Sequence, residues 1–203
     1  MKVQRLRENK RVGVAAGVMS VLGGVGFILG AVLLNQGAHS KVSLRSKPLS
    51  PSQEGASLRS APGFELMDSQ GKTHTLSKLK GSAVLLHFWA SWCPPCLEEI
   101  PQWLSLVEQM QGSSLQFVAV SLDSNWSDAQ KILPPQPSLS HFVSLLDPSG
   151  QVPDRYGSFQ FPETYLLNSE LKIVQKWVGP QPWDQPEFQK ALRRWISDQN
   201  TPS

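Results

Sequence analysis

An almost continuous apolar run over residues 83–90 leads straight into Ser91-Trp92-Cys93-Pro94-Pro95-Cys96, after which Leu97, Ile100, Leu104 and Val107 recur at helical spacing. A strand apolar on both faces that turns at once into an amphipathic helix restricts the chain to α/β layer structures. The only two cysteines of the sequence stand at the joint. A sulfur in the first turn of a helix faces unpaired backbone N–H groups and the positive end of the helix dipole, which favours its thiolate. Cys96 lies one turn further on, on the same face, placed to close a disulfide with Cys93 or to resolve a mixed disulfide that Cys93 has formed. Two intervening residues close too short a loop to constrain an unfolded chain much, so the pair reads as a redox dithiol rather than a staple. Pro94 and Pro95 suit a first helical turn. Pro95 also removes an N–H that would face Cys93, leaving those of Cys96 and Leu97 and making the dithiol less oxidising than its helix position suggests. Pro101 inside the helical run predicts a kink.

The sequence divides into four parts by charge and hydropathy. Residues 1–11 carry Lys2, Arg5, Arg7, Lys10 and Arg11 against Glu8 and form a basic tail. Residues 12–34 hold no charge, and about 23 uncharged, largely apolar residues are enough to span a bilayer. The apolar stretch is longer than a cleaved signal peptide requires, and Gln36-Gly37-Ala38 is a poor cleavage site, so an uncleaved anchor is expected. The basic tail assigns a cytoplasmic N-terminus, and with it a single-pass protein whose C-terminal domain lies in the periplasm or another extracytoplasmic space. Residues 35–60, rich in Ser, Lys, Arg and Pro, read as a flexible linker. Residues 61–203 are one domain's worth of chain and carry ten basic against fourteen acidic side chains. The sequence's excess of positive charge therefore belongs to the anchor and linker, and a nucleic-acid function has no basic face to rest on.

Within the domain, residues 64–67 and 73–76 flank the turn-rich Asp68-Ser69-Gln70-Gly71-Lys72 and predict a β-hairpin, with Ser77 as a helical cap. Residues 115–122, 141–146, 164–167 and 171–178 predict further strands. Asp184 and Glu187 form a capping-box pattern ahead of a final helix with Phe188, Ala191, Leu192, Trp195 and Ile196 on one face.

The run Phe-Trp-Ala-Ser-Trp-Cys-Pro-Pro-Cys at 88–96, Glu99 and Pro101 behind it, and Phe161-Pro162-Glu163-Thr164 ahead of a strand resemble the thioredoxin superfamily. Within it they resemble the membrane-anchored TlpA-like, ResA-like and CcmG (DsbE)-like thiol-disulfide oxidoreductases, over roughly residues 61–198. The resemblance implies a thioredoxin-like α/β fold with an N-terminal β-hairpin and an inserted strand-helix element within residues 127–157, preceded here by one transmembrane helix. It assigns Cys93 as the attacking thiol and Cys96 as the resolving one, and it puts Glu99 beneath the dithiol, where a partly buried carboxylate takes the Cys96 proton. It makes Phe161-Pro162 a cis bond facing the dithiol, with a backbone edge for a substrate strand. Phe161 departs from the small or β-branched residue usual there, and Glu163-Thr164 matches the CcmG pattern. His87 stands six residues before Cys93, where thioredoxins have a buried aspartate and TlpA-like proteins often asparagine. It is either a proton shuttle for Cys96 or a hydrogen-bonded core residue. Trp92 is expected to shape the contact surface, Trp89, Trp103 and Trp195 to lie in the core or at its edge, and Trp126, Trp177 and Trp183 have no clear place.

The expected activity is thiol-disulfide exchange through the Cys93–Cys96 disulfide, with no other cofactor. The expected partners are a protein disulfide or dithiol, for which the family resemblance suggests apocytochrome c, and a membrane electron donor. Reduction is the favoured direction and a disulfide oxidase the alternative. A Cu(I) metallochaperone would use both sulfurs and a third ligand from His74, His141 or Met67, none of which stands in a recognisable spacing with the dithiol. A peroxidase would need a threonine where Ala90 stands.

Overall fold

The computed structural model describes residues 58–136 and 138–199. The tail, the 12–34 segment and nearly all of the linker lie outside those residues. Among the described residues no helix is long and apolar enough to cross a membrane.

The described strands are β1 (Glu65–Met67), β2 (Thr73–Thr75), β3 (Ala83–Trp89), β4 (Leu115–Ser121), β5 (Phe142–Leu146), β6 (Glu163–Leu167) and β7 (Ile173–Val178). The helices are α1 (Pro94–Gln109), α2 (Trp126–Ile132), α3 (Gln151–Tyr156) and α4 (Pro186–Gln199), with a short 3-10 helix at Leu76–Leu79. The strands form one sheet in the order β2-β1-β5-β4-β3-β6-β7. At its centre β3 pairs in parallel with β4 and antiparallel with β6 over most of its length.

Alternation along β3 explains its unbroken apolar sequence. Leu85 and Trp89 face Ile100, Trp103, Leu106 and Val107 of α1 and Leu192, Trp195 and Ile196 of α4. Val84, Leu86 and Phe88 point the other way, into a second core with Leu76, Val152 and Tyr156. With both faces and both edges occupied, β3 holds the joint to α1 in a fixed place.

The hairpin forms as its turn chemistry requires. Asp68 Oδ1 accepts from the Gln70 and Lys72 N–H groups, and Gly71 adopts φ 78°. β1 joins the main sheet through the pair Met67 and Leu146. Residues 127–157 hold β5 and α3, preceded by nearly all of α2.

Two local expectations change. Ser77 lies inside the 3-10 helix, which Thr75 precedes without a side-chain cap. At α4 the first helical bond runs from Gln189 N to Gln185 O, so Gln185 stands at the cap and Asp184 one residue too early, because Pro186 pre-sets the dihedral of the first helical residue. Pro101 does not end α1, which continues for two more turns to Gln109.

Candidate active site

The loop between β3 and α1 is fixed by a residue that carries no sequence signal. Asp123, buried just past the end of β4, accepts from the Ser91 N–H at 3.1 Å, the Ser91 hydroxyl at 2.6 Å and the Ser121 hydroxyl at 2.7 Å. Leu122 N also donates to Trp89 O at 2.9 Å. The turn into the helix is thus tied to the neighbouring strand before Cys93 is reached.

Cys93 is the N-cap of α1 and is joined to Cys96 in a disulfide with Cα atoms 5.3 Å apart. The pair is asymmetric: Cys93 keeps 5% of its surface and Cys96 none. The N–H groups of Cys96 and Leu97, expected to face the Cys93 sulfur, both donate to the Cys93 carbonyl, at 3.0 and 3.2 Å. The first helical hydrogen bonds claim them, and the two prolines leave no replacements.

Opposite the disulfide, the Phe161-Pro162 bond is cis, and Phe161 O lies 3.5 Å from Cys93 Sγ. Pro162 O accepts from Gly179 N at 2.8 Å, which ties this loop to the end of β7. Trp92 is 61% exposed and meets Phe161 edge to face, with ring centroids 6.4 Å apart. Two aromatic rings therefore flank the accessible sulfur.

Glu99, 2% exposed, lies one turn beyond Cys96 on the buried face of α1. Its Oε2 accepts from Gln181 N at 3.0 Å, and its Oε1 lies 3.7 Å from His87 Nδ1. Burial pushes the Glu99 pKa up to about 7, opposed by the Trp183 indole, which lies at the carboxyl outside hydrogen-bond geometry, and by Gln181 N–H. His87 is fully buried, stacks on Trp103 at 5.0 Å and has Nδ1 2.9 Å from Thr164 Oγ1; burial lowers its pKa to about 3.

The structure thus brings Cys93, Cys96, Trp92, Phe161 and Pro162 together, with Glu99 one turn beyond Cys96 on the buried face of α1 and His87 3.7 Å from its carboxylate. It does not bring the Glu163 side chain there. Glu163 is paired with Phe88 in the sheet register and shares that residue's face, where its Oε2 meets Lys176 Nζ at 2.9 Å and the Tyr165 hydroxyl at 3.1 Å. Among the ligands weighed for a metal, His74 is held by Asp68 at 2.7 Å, and His141 donates to Val107 O at 2.8 Å. Met67 and His74 stand on β1 and β2, with β5 and β4 between them and β3. Among the described residues no three His, Cys, Asp or Glu side chains are grouped to hold a metal ion. Trp183 and Trp177, without a clear place in the sequence, meet edge to face, and both pack against Phe188; Trp183 is fully buried.

A disulfide at the start of a helix, with its inner cysteine fully buried and its outer one beside a cis-proline loop, defines a thioredoxin-like thiol-disulfide oxidoreductase domain. The chain belongs to the AhpC/TSA family, whose profile matches residues 58–176. It is 34% identical over 119 residues to the thiol-disulfide oxidoreductase ResA of Bacillus subtilis strain 168, covering 59% of this chain and 65% of that protein. Against ResA of Bacillus thuringiensis subsp. konkukian the identity is 32% over 130 residues, covering 64% and 73%. Among solved structures, a DsbE-type thiol:disulfide interchange protein from Chlorobium tepidum matches with a TM-score of 0.60 at 33% identity, over 70% of this chain and 98% of that one. StoA of Bacillus subtilis matches at 0.53 and 27%, over 65% and 97%.

The buried pair sets opposite pH dependences. Glu99, raised in the fold, binds a proton that the unfolded chain has lost between about pH 4.5 and 7, so its stabilising contribution falls as pH rises through that window. His87, depressed in the fold, costs stability as pH falls from about 6.5 toward 3. Between about pH 4.5 and 6.5 the two nearly cancel. Glu99→Gln in the oxidised protein is therefore expected to gain about 3 kcal/mol relative to wild type as pH rises from 4.5 to 8. Urea denaturation across that range checks it, and a pH-independent difference between the two proteins would show that Glu99 has an ordinary pKa.

Proposed function

We propose that this protein is a membrane-tethered reductant of protein disulfides, working outside the cytoplasm through Cys93 and Cys96. The observation that carries the direction is the fate of the N–H groups at the start of α1. A dithiol oxidises strongly when its thiolate, and hence its reduced form, is stabilised. Here Pro94 and Pro95 have no N–H, and the next two donors are spent on the Cys93 carbonyl. A Cys93 thiolate receives little backbone stabilisation, which favours the reductant over the oxidase.

In the cycle, the Cys93 thiolate attacks one sulfur of a substrate disulfide, forming a mixed disulfide and releasing the other substrate sulfur as a thiolate. Cys96, deprotonated by Glu99, then attacks Cys93 Sγ. The Cys93–Cys96 disulfide forms, the second substrate sulfur leaves, and the substrate has gained two electrons. A membrane electron donor returns the pair to the dithiol. The dithiol is the only redox group required. Trp92 and Phe161 flank the incoming sulfur, and the backbone of Phe161 pairs with the substrate strand. Glu163 serves this edge from behind, anchoring the strand that follows through Lys176 and Tyr165. The resemblance to CcmG-like proteins makes an apocytochrome c disulfide the substrate of choice. Residues 12–34 supply the tether, and the basic residues 1–11 keep the N-terminus in the cytoplasm.

Three outcomes test this reading. Equilibration with glutathione or dithiothreitol buffers is expected to give a reduction potential nearer the about −270 mV of thioredoxin than the about −120 mV of DsbA; a value at the DsbA end would make the protein an oxidase. Cys96→Ser is expected to accumulate mixed disulfides with protein substrates in cells, while Cys93→Ser does not, and equal trapping by both would reverse the roles. The full-length chain is expected to stay with membranes through carbonate washing, with residues 61–203 open to protease from the non-cytoplasmic side. Release of a shortened soluble protein would mean that the 12–34 segment is cleaved.

A further inference from the structure

We propose that His87 is a positioning residue for Glu99, its Nδ1–H held between Thr164 Oγ1 and Glu99 Oε1 so that the carboxylate stays available to take the Cys96 proton. This rests on the role given to Glu99 above and adds a partner to it.

His87 lies on the α1-facing side of β3, and its ring is stacked on Trp103 with planes 24° apart. Stacking fixes the ring plane, so its chemistry is decided by the two in-plane nitrogens. Nδ1 has Thr164 Oγ1 at 2.9 Å, from the residue directly opposite in the β3–β6 register, and Glu99 Oε1 at 3.7 Å. Nε2 is buried and has no hydrogen-bond partner. A neutral imidazole carries one proton. On Nε2 it would be a buried N–H without an acceptor, which native structures avoid more strictly than a bare acceptor. On Nδ1 it meets the threonine oxygen and points its positive end toward Glu99 Oε1, itself without a hydrogen-bond partner. The buried geometry therefore selects the Nδ1–H tautomer.

The strength of this arrangement suits a proton acceptor. From β6 the group facing the pair is the Thr164 hydroxyl, on α1 Cys96 stands one turn before Glu99 on the same buried face, and from the segment after β7 come Gln181 N–H and the Trp183 indole. Among the described residues no Lys or Arg is paired with Glu99, and His87 is the only titratable group at ion-pair distance. Burial keeps the imidazole neutral. A full cation in its place would favour the Glu99 carboxylate, and an apolar side chain would favour the protonated acid. A neutral N–H dipole lies between these limits and leaves both protonation states accessible.

The test follows the Glu99 carboxyl carbon by NMR in the full-length oxidised protein, in wild type, His87→Leu and His87→Asn. In His87→Leu the Glu99 pKa is expected to rise by about one unit, and the pH-rate profile for exchange to shift alkaline with it. His87→Asn restores an amide N–H donor and is expected to keep Glu99 near its wild-type value. Imidazole 15N shifts in wild type should show the proton on Nδ1, a reading that needs no variant to fold. An unchanged Glu99 titration in His87→Leu, or a proton on Nε2 in wild type, overturns the proposal. A rate profile unaltered by Glu99→Gln would instead remove the base role of Glu99, whatever His87 does to its titration.

Discussion

The buried face of α1 carries both the stability and the chemistry of this domain. Cys96, Glu99, Ile100, Trp103, Leu106 and Val107 recur at intervals of three and one, which places them on one stripe of the helix. That stripe must pack against β3 for the domain to have a core at all. The resolving sulfur and the carboxyl group are sealed by the same contacts that bury Trp103 and Leu106. Cys93, at the cap rather than on the stripe, is the one sulfur left near solvent. The difference in burial between the two cysteines thus follows from where the helix begins, and it supports the proposed division into attacking and resolving thiols.

Topology supplies the rest of the site. β3 and β4 run in parallel, so their carboxyl ends lie together, and Asp123 past β4 reaches Ser91 past β3. β6 runs antiparallel to β3, so its beginning lies at that same end and delivers Phe161 and Pro162 opposite Cys93. β7 runs antiparallel to β6, so its exit is there too, and residues 179–183 bring Gln181 and Trp183 to Glu99. Four chain segments converge on one end of the sheet, the end where open α/β sheets place their sites.

Parts of the structure that depend on local periodicity were legible in the sequence. The doubly apolar β3, the stripe on α1, the hairpin around Gly71 and the face of α4 all follow from spacing over a few residues. The dithiol was legible because its chemistry lies in two adjacent helical turns. Partners brought from a distance were not. Asp123 follows an apolar strand as many loop aspartates do, and nothing local marks it as the anchor of Ser91. Gln181 and Trp183 reach Glu99 across about eighty residues of chain, and only β6 and β7 running back to the same end make that contact. Glu163 was placed with the substrate edge by its neighbour Pro162. Strand alternation turns adjacent side chains to opposite faces, and Glu163 falls on the far one. The α4 start was misplaced for a smaller reason: Pro186 outweighs the acidic side chain two residues before it.

The polar atoms left without partners are unevenly spread. Among the described residues seven buried side-chain polar atoms lack hydrogen bonds; five of them, His87 Nε2, Glu99 Oε1 and the indole nitrogens of Trp89, Trp103 and Trp183, belong to the core on the α1 side, and the others are Ser144 Oγ and the Tyr156 hydroxyl. Each such atom costs about 1–3 kcal/mol. The tryptophan rings offset part of that cost, since each buries a large apolar area and Trp103 also packs edge to face on Phe117 and Phe142. Large rings with few polar atoms give Glu99 a dry, low-dielectric surround, which raises its pKa and separates it from bulk water. A carboxyl group so enclosed exchanges its proton with the groups packed around it. On its own helix face Cys96 stands one turn away, which supports the proposed role of Glu99 as acceptor of the proton that Cys96 must lose.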